Sequence, residues 1–181
     1  MEPAEVKIHA FEYVLSKLVA WYKDVYNSTE ESNDISTIKA LKLLFFISAV
    51  NADKDSEDTL LDCIFDNFVA MPYGHVESDV YSSMKSKEHL NISIDNNSSF
   101  ILESYNSDTL DAINKIKIDS SISKLRGINN NLIKMSPFDL VELSHSWYSW
   151  KFYFEKAKRK GSNSEIIPSE IIKSEQKFFY L

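Results

Sequence analysis

Apolar residues recur at three- and four-residue spacings over residues 4–26, which predicts one amphipathic helix with a single buried stripe. A polar connector, residues 27–34, separates it from a second segment at 38–50 that is apolar on nearly every side. Ser36 stands at the N-cap position of that segment. A helix that is apolar all round is typical of a central helix, so we expect the core to form around it. A third, short helix is predicted at residues 60–68.

The period of the pattern changes over residues 91–103, where apolar and polar residues alternate on both sides of Asp95–Asn97. Alternation around turn-forming residues predicts a β-hairpin. The chain is therefore expected to contain one short β element among its helices.

Further helix signals follow in the second half of the chain. Ser107 can cap a helix that runs to about Lys117. Three of its apolar residues would face inward: Leu110, Ile113 and Ile116. Ser136 and Pro137 give the next helix an N-cap and a proline at its first position, and this helix should extend through residues 140–150.

The C-terminal segment carries charge and then aromatic residues. The basic residues 156–160 precede Gly161, a pattern typical of a helix end, and we favour that interpretation over a phosphate-binding patch. Residues 168–170 open a last short helix. The tail 177–181, Lys-Phe-Phe-Tyr-Leu, is predicted to dock on the body of the protein; contact with a partner is the alternative.

The composition of the chain limits its possible fold class and binding partners. The chain has 181 residues with 44% hydrophobic residues, enough for one globular domain spanning residues 1–181. Three Gly and four Pro are few for an all-β protein, so a mostly α fold is predicted: a helical bundle around a buried central helix, with a short β-hairpin. The formal net charge of −7 disfavours nonspecific binding to nucleic acid or an anionic membrane. No run reaches the ~20 apolar residues of a membrane span, and we expect a cytoplasmic protein.

A sharp bend is predicted where Pro72 restricts the residue before it and Gly74 permits a positive φ. A helix should follow from Val76 to Met84. Its first turn would carry Glu77 and Asp79, because acidic residues are favoured at the positive end of the helix dipole. Val76, Val80 and Met84 would face inward.

Candidate catalytic chemistry is sparse. The four histidines are far apart in the sequence: His9, His75, His89 and His145. None lies in a metal-ligand pattern, and Cys63 is the single cysteine, so no disulfide, metal site or cofactor is predicted. Ser144 and His145 are adjacent on a predicted helix and point to different faces, which disfavours a nucleophile–base pair. We expect His145 to make a structural hydrogen bond under the bend and Trp150 to fill the core.

Two stretches carry a family resemblance. Residues 65–81, Phe-Asp-Asn-Phe-Val-Ala-Met-Pro-Tyr-Gly-His-Val-Glu-Ser-Asp-Val-Tyr, resemble the Phe-x-Ala-x-x-Tyr-Gly-Pro-Val-x-x-x-x-Tyr run of the Panacea antitoxin domain, also called SocA-like. Residues 140–150, Leu-Val-Glu-Leu-Ser-His-Ser-Trp-Tyr-Ser-Trp, are similar to its Leu-Ser-x-Leu-Thr-His-x-x-x-x-Trp pattern. The resemblance covers about residues 15–172. One departure is His75, which stands where the family has proline.

The resemblance implies a non-enzymatic antitoxin of a bacterial or prophage toxin–antitoxin pair that binds its toxin protein directly. The alternative is a phage-associated interaction protein or an adaptor that delivers a partner to a protease. A hydrolase ranks third and would need Ser144 or His145 to be exposed in a pocket. No DNA-binding extension is recognised, so nucleic-acid binding by this chain alone is not expected.

The bend and the exposed parts of the helix at 76–87 are our hypothesis for the toxin-binding face, because rigid bends that carry exposed acids and aromatic rings suit recognition. Its predicted contact residues are Met71, Tyr73, Gly74, His75, Glu77, Asp79 and Tyr81. Ser144, His145 and Trp150 are predicted to form the structural motif beneath it.

Overall fold

The computed structural model describes residues 3–86 and 90–181, and it is mostly α-helical, as the sequence predicts. It contains two small sheets, whereas the sequence predicts one hairpin. The helices of the described residues are α1 (Pro3–Tyr26), α2 (Thr37–Ala49), α3 (Leu60–Cys63), α4 (Ser78–Ser86), α5 (Ala112–Ile128), α6 (Pro137–His145), α7 (Tyr148–Arg159) and α8 (Ser169–Ser174). The strands are β1 (Phe68–Met71), β2 (Gly74–Glu77), β3 (Ile92–Ile94), β4 (Ser99–Ile101) and β5 (Glu165–Ile166). Short 3₁₀ helices lie at Ser107–Thr109 and Asn130–Lys134. None of these helices is both long and apolar enough to cross a membrane.

Helix α2 is the central helix that the apolar pattern predicts. Residues 39–49 are all buried, and α2 packs against α1, α5, α6 and β2. The Ser36 hydroxyl caps its N-terminus. Near the C-terminal end of α2, the ring of Phe45 contacts the rings of His75 and Trp147. The core is therefore built around this helix.

Strands β1 and β2 form an antiparallel hairpin that is closed by Pro72 and Tyr73. Its register pairs Met71 with Gly74. Strand β5 pairs with the other edge of β1, which gives the sheet order β2–β1–β5. The bend predicted from Pro72 and Gly74 is thus the turn of a hairpin.

The helix predicted at 60–68 is wrong beyond Cys63. The Phe65 N–H donates to the Leu60 carbonyl at 2.7 Å, which closes the helix, and strand β1 follows. The residues of β1 and β2 are buried on both faces except at the turn, so no alternation of apolar and polar residues marks them as strands.

The helix predicted to begin at Val76 begins two residues later. Val76 and Glu77 belong to β2, and α4 starts at Ser78. The predicted inward face is nevertheless present, because Val76, Val80 and Met84 are all buried.

The predicted hairpin at 91–103 is formed by β3 and β4, with Ile92 paired to Ile101 and Ile94 paired to Ser99. The Asp95 carboxylate accepts hydrogen bonds from the backbone N–H groups of the turn. This local hydrogen bonding is the turn chemistry that the sequence indicates.

The predicted register of the next helix is wrong. The residues after Ser107 form only a 3₁₀ turn, and Asp111 caps α5 instead by accepting the Asn114 N–H at 3.0 Å. The helix then continues through the polar residues after Lys117. Of the three residues predicted to face inward, Leu110 is buried just before α5, whereas Ile113 and Ile116 are each 67% exposed. The buried residues of α5 are Ile118, Ser121, Ile122 and Leu125.

The predicted helix through residues 140–150 is two helices. Helix α6 ends at His145, Trp147 is extended, and α7 begins at Tyr148. This break rotates Trp147 into the core, where it is fully buried, while Trp150 is only half-buried. Trp147 therefore fills the core, the role predicted for Trp150.

The C-terminal tail docks on the body of the protein through Phe179. This ring is 8% exposed and contacts Phe46 and Trp147, while Tyr180 and Leu181 remain exposed. The basic residues 156–160 end α7 as predicted, and two of their lysines pair with Glu165.

The register of α5 can be tested with two substitutions of one residue type. Ile118→Ala should lower the free energy of unfolding by about 2–5 kcal/mol, because it leaves a cavity in the core. Ile116→Ala should change it by no more than about 0.5 kcal/mol, since that side chain is exposed. Urea denaturation measures both values, and equal losses would contradict the observed register.

Candidate functional site

The turn, residues Met71–Gly74, is held by two aromatic rings from the stretch at residues 140–150. The Trp150 Nε1–H donates to the Met71 carbonyl at 2.8 Å, and the His145 Nε2 lies 3.2 Å from the Pro72 carbonyl. The two rings stack with their centroids 3.6 Å apart. The hydrogen bond expected from His145 is therefore present, and Trp150 contributes a second one. Two hydrogen bonds and a ring stack hold the turn in one orientation.

His75 is wholly buried behind the turn. Its ring stacks on Phe45 at 3.7 Å, its Nδ1 lies 2.8 Å from the Ser144 hydroxyl, and its Nε2 lies 2.7 Å from the Ser149 hydroxyl. Each ring nitrogen of His75 therefore has a serine hydroxyl as its hydrogen-bond partner, and the imidazole ring can remain neutral. Burial, the nearby Lys42 and then His145 lower the pKa of His75 well below its usual value.

The His75 backbone does what proline could not. Its N–H donates to the Ser144 hydroxyl at 3.0 Å, and the residue pairs with Ala70 in the hairpin. Because proline has no N–H, a proline at this position could not form the bond. It fastens β2 to α6.

Glu175 connects the same network to the N-terminus of α7. Its carboxylate accepts the Ser149 N–H at 3.0 Å, which supplies the cap that the Trp147 side chain does not make. The other carboxylate oxygen is buried with no hydrogen-bond partner. Burial raises the pKa of Glu175, against the opposing hydrogen bonds from Ser149. The cap fixes the helix that carries Trp150.

The serine–histidine pair of this network has no room for a substrate. Ser144 and His75 are each 0% exposed. A Cβ at Gly74 would lie 2.4 Å from the Ser144 Oγ, so the backbone already fills the space beside the hydroxyl. A hydrolase would need Ser144 or His145 to be exposed in a pocket; Ser144 is fully buried, and the His145 side chain is 23% exposed with its Nε2 against the Pro72 carbonyl.

A second polar cluster joins α1 to the start of α4. The Lys7 ammonium contacts Asp66 at 2.7 Å, Glu77 at 2.7 Å and Asp79 at 2.6 Å. Burial by itself lowers the pKa of Lys7, but the hydrogen bonds to the three carboxylates outweigh it and the pKa is raised. The three carboxylates lie close enough together to hold a metal ion, and the ammonium takes that central position.

Glu77 is therefore a structural residue. It is 0% exposed and also accepts the Val80 N–H at 2.9 Å and the Asn67 N–H at 3.2 Å. Burial raises its pKa, with Lys7 acting in the opposite direction. Glu77 cannot contact a partner in this conformation, whereas half of the Asp79 side chain is exposed.

A groove of about 540 Å³ lies beside the turn, between the start of α2, β2 and α4. Its lining residues are Thr37, Ile38, Leu41, Lys42, Met71, Pro72, Tyr73, Val76, Tyr81, Met84, Lys85, Asn96 and Asn163. Three of the predicted contact residues, Met71, Tyr73 and Tyr81, are among them. Tyr73 is 56% exposed and meets the exposed Phe138 edge-on at 6.3 Å.

The predicted contact residues thus fall into two groups, one exposed and one buried. Met71, Tyr73 and Tyr81 line the groove, and Asp79 is exposed nearby on α4, whereas Gly74, His75 and Glu77 are buried beneath them. Residue 87, the predicted end of this face, lies outside the described residues.

Sequence reasoning missed Lys7, Asp66 and Lys42. Lys42 is 1% exposed and donates to the His75 carbonyl, and burial lowers its pKa to about 7. A signal was present, because Lys39 and Lys42 interrupt a helix that is otherwise apolar on every side. Such a lysine must be buried with a partner or lie at an opening.

Replacing Gly74 tests how tightly the turn is packed. Gly74→Ala should destabilise strongly, because φ is +94° and the added Cβ would collide with Ser144. Gly161→Ala is the matched control, since φ is +70° there but nothing lies within 4 Å. We expect the Gly74 variant to lose about 1–3 kcal/mol more than the control in urea denaturation. Equal losses would contradict the close contact.

The buried ring of His75 should make stability depend on pH. As the pH falls below about 6.5, the unfolded chain binds a proton that the folded protein excludes, so the free energy of unfolding falls. The slope should approach about 1.4 kcal/mol per pH unit. His75→Gln should remove this part of the slope; other titrating groups act in both proteins, so their difference isolates His75. Parallel pH profiles for the two proteins would contradict the assignment.

Comparison with known proteins agrees with the resemblance read from the two motifs. The family model described as "Antitoxin SocA-like, Panacea domain" matches residues 41–151, which is more than half of the chain. The matched segment contains the turn, His75 and the motif of α6 that holds them. No curated protein and no solved structure matches the chain. The chain belongs to the SocA-like antitoxin family with the Panacea domain.

Proposed function

We propose that this protein is the antitoxin of a bacterial or prophage toxin–antitoxin pair, and that residues 1–181 act as one Panacea-like unit. It neutralises its toxin in the cytoplasm by direct protein–protein binding, without catalysis and without a cofactor. Family membership supports the antitoxin role, and the turn with its groove supports binding as the mode of action.

The observation that carries the proposal is the exposed turn held rigid beside an apolar groove. Tyr73 presents more than half of its surface to solvent, while the backbone under it is fixed by His145 and Trp150. A rigid aromatic residue loses little conformational freedom on binding, which is why such residues are frequent anchors at interfaces.

The contact face is narrower than the sequence alone suggests. We assign Met71, Tyr73, Asp79 and Tyr81 to direct contact with the toxin. Gly74, His75 and Glu77 act beneath the surface by holding the turn and the start of α4, as the buried hydrogen bonds of His75 and Glu77 indicate. Substitutions at Gly74, His75 or Glu77 would therefore change the stability of the fold as well as binding.

Binding is favoured over catalysis by the burial of Ser144 and His75. Both residues are fully enclosed, and their polar atoms are hydrogen-bonded to one another and to Ser149. A nucleophile must reach its substrate, and this one does not. The same residues are well placed to fix the turn.

A second surface favours the alternative, a phage-associated interaction protein or protease adaptor. Tyr148 and Phe152 on α7 are 56% and 50% exposed, and their rings stack at 5.6 Å. An adaptor must bind two proteins at once, and this exposed aromatic pair does not line the groove. It would serve as the second contact if the protein delivers its toxin to a protease.

Co-expression with the product of the adjacent gene tests the proposal. The wild type should rescue growth and form a complex that survives purification. Tyr73→Ala should weaken that complex by at least about tenfold, because an aromatic anchor is removed. Tyr148→Ala is a matched control of the same residue type and the same 56% exposure, and it should still rescue.

The outcomes separate the candidate functions. A harmless neighbour that does not bind would contradict the antitoxin role. Rescue that is lost with Tyr148→Ala but kept with Tyr73→Ala would place the contact on α7. A protease that co-purifies with the wild type and is lost with Tyr148→Ala would favour the adaptor.

A further inference from the structure

We propose that the groove binds a segment of the partner protein in which an acidic residue stands next to a large apolar one. The proposal rests on the proposed function, because it names the chemistry of the toxin segment that the turn and groove would recognise.

The walls are apolar. Leu41, Val76 and Met84 are buried, and Ile38 and Met71 are half-buried beside them. A volume of about 540 Å³ falls within the ~300–1,000 Å³ range of pockets that enclose most of a small ligand. Such a groove can take up one large apolar side chain with part of its backbone.

The charge of the groove is opposite to that of the chain. The protein carries 27 acidic and 20 basic residues. Among the lining residues that the structure describes, Lys42 and Lys85 are basic and none is acidic. Lys85 is exposed at the rim, where its ammonium lies 4.6 Å from the centre of the Tyr81 ring. Charge complementarity therefore favours an anionic segment.

Lys42 gives this charge a specific position. Three lysines of the described residues are buried: Lys7, Lys39 and Lys42. Lys7 contacts three carboxylates, and Lys39 pairs with Asp34 at 2.7 Å. Lys42 forms no ion pair within the described part of the chain, and its one hydrogen-bond acceptor there is the His75 carbonyl. An ammonium has three N–H donors, so Lys42 retains capacity for a carboxylate.

The free protein therefore holds a buried lysine in the wall of the groove that has no counter-ion among the described residues and is only partly charged near pH 7. Such a group is costly until an anion approaches it. The burial that lowers the pKa of Lys42 to about 7 reflects that cost. A carboxylate of the partner would supply the missing charge, and the apolar walls would hold the side chain beside it.

A library of random heptapeptides displayed on phage is the probe for this chemistry. Peptides selected on the wild-type protein should carry Asp or Glu beside a large apolar residue. Changing that acid to its amide in a synthetic peptide should weaken binding to the wild type by at least about tenfold. In Lys42→Met the same change should matter much less, because the charge it meets has gone.

Two further variants keep the test decisive. Lys39→Met removes a buried lysine three residues earlier on α2 that does not line the groove, so the acid-to-amide effect should remain as large as in the wild type. Lys85→Ala leaves the core untouched and should weaken the acidic peptide but not its amide form. It replaces the Lys42 variant if thermal unfolding shows that Lys42→Met does not fold.

Three results would overturn the proposal. They are failure to enrich any peptide, enrichment of peptides without an acid, and an acid-to-amide effect that neither lysine variant reduces. Growth rescue separates this proposal from the antitoxin role. Full rescue by both lysine variants would leave the antitoxin role standing and contradict the groove chemistry. If the wild type fails to rescue while acidic peptides bind as expected, the antitoxin role falls and the groove assignment stands.

Discussion

The structure around the turn depends on the close approach that Gly74 allows. With no Cβ there, the Ser144 hydroxyl and the Lys42 ammonium can both reach the backbone of β2. That contact joins the central helix, the hairpin and α6 at one point. The hydrogen bonds of His145 and Trp150 to the turn then act on a backbone that is already fixed. The exposed ring of Tyr73 is therefore carried by a backbone that these hydrogen bonds hold in place.

Buried charge forms the second organising feature. The Lys7 cluster satisfies its ammonium with three carboxylates and ties α1 to the strand–helix junction at Glu77. Lys42 has no such partner among the described residues and lies in the groove wall. The other two buried lysines of the described residues, Lys7 and Lys39, already contact carboxylates. At Lys42, a carboxylate of the partner would stabilise the proposed complex.

Much of the fold could be predicted from local patterns. Helix α2, its Ser36 cap, the 91–103 hairpin and the Ser136 start all rest on signals contained within a few residues. The failures have a common cause in tertiary structure. Strand β1 is buried on both faces, so its sequence shows no alternation, and the face of α5 depends on whether Ser107 or Asp111 caps it.

The site was predicted in outline and corrected in detail. The turn and the hydrogen bond from His145 followed from proline, glycine and the two motifs. The burial of Glu77 could not follow, because its partner Lys7 is seventy positions earlier in the chain. The hydrogen bond between Ser144 and His75 likewise needs the hairpin to fold over α6. Contacts of this kind are set by packing and leave no local signal in the sequence.

Hydrogen–deuterium exchange on the purified complex with the neighbouring gene product would test the central claim most directly. The account predicts that partner binding protects the backbone amides of residues 71–85, which span the turn and α4, and leaves those of α7 unchanged. Protection confined to α7, or a stable complex with no change over residues 71–85, would contradict the assignment of the turn and groove as the binding face.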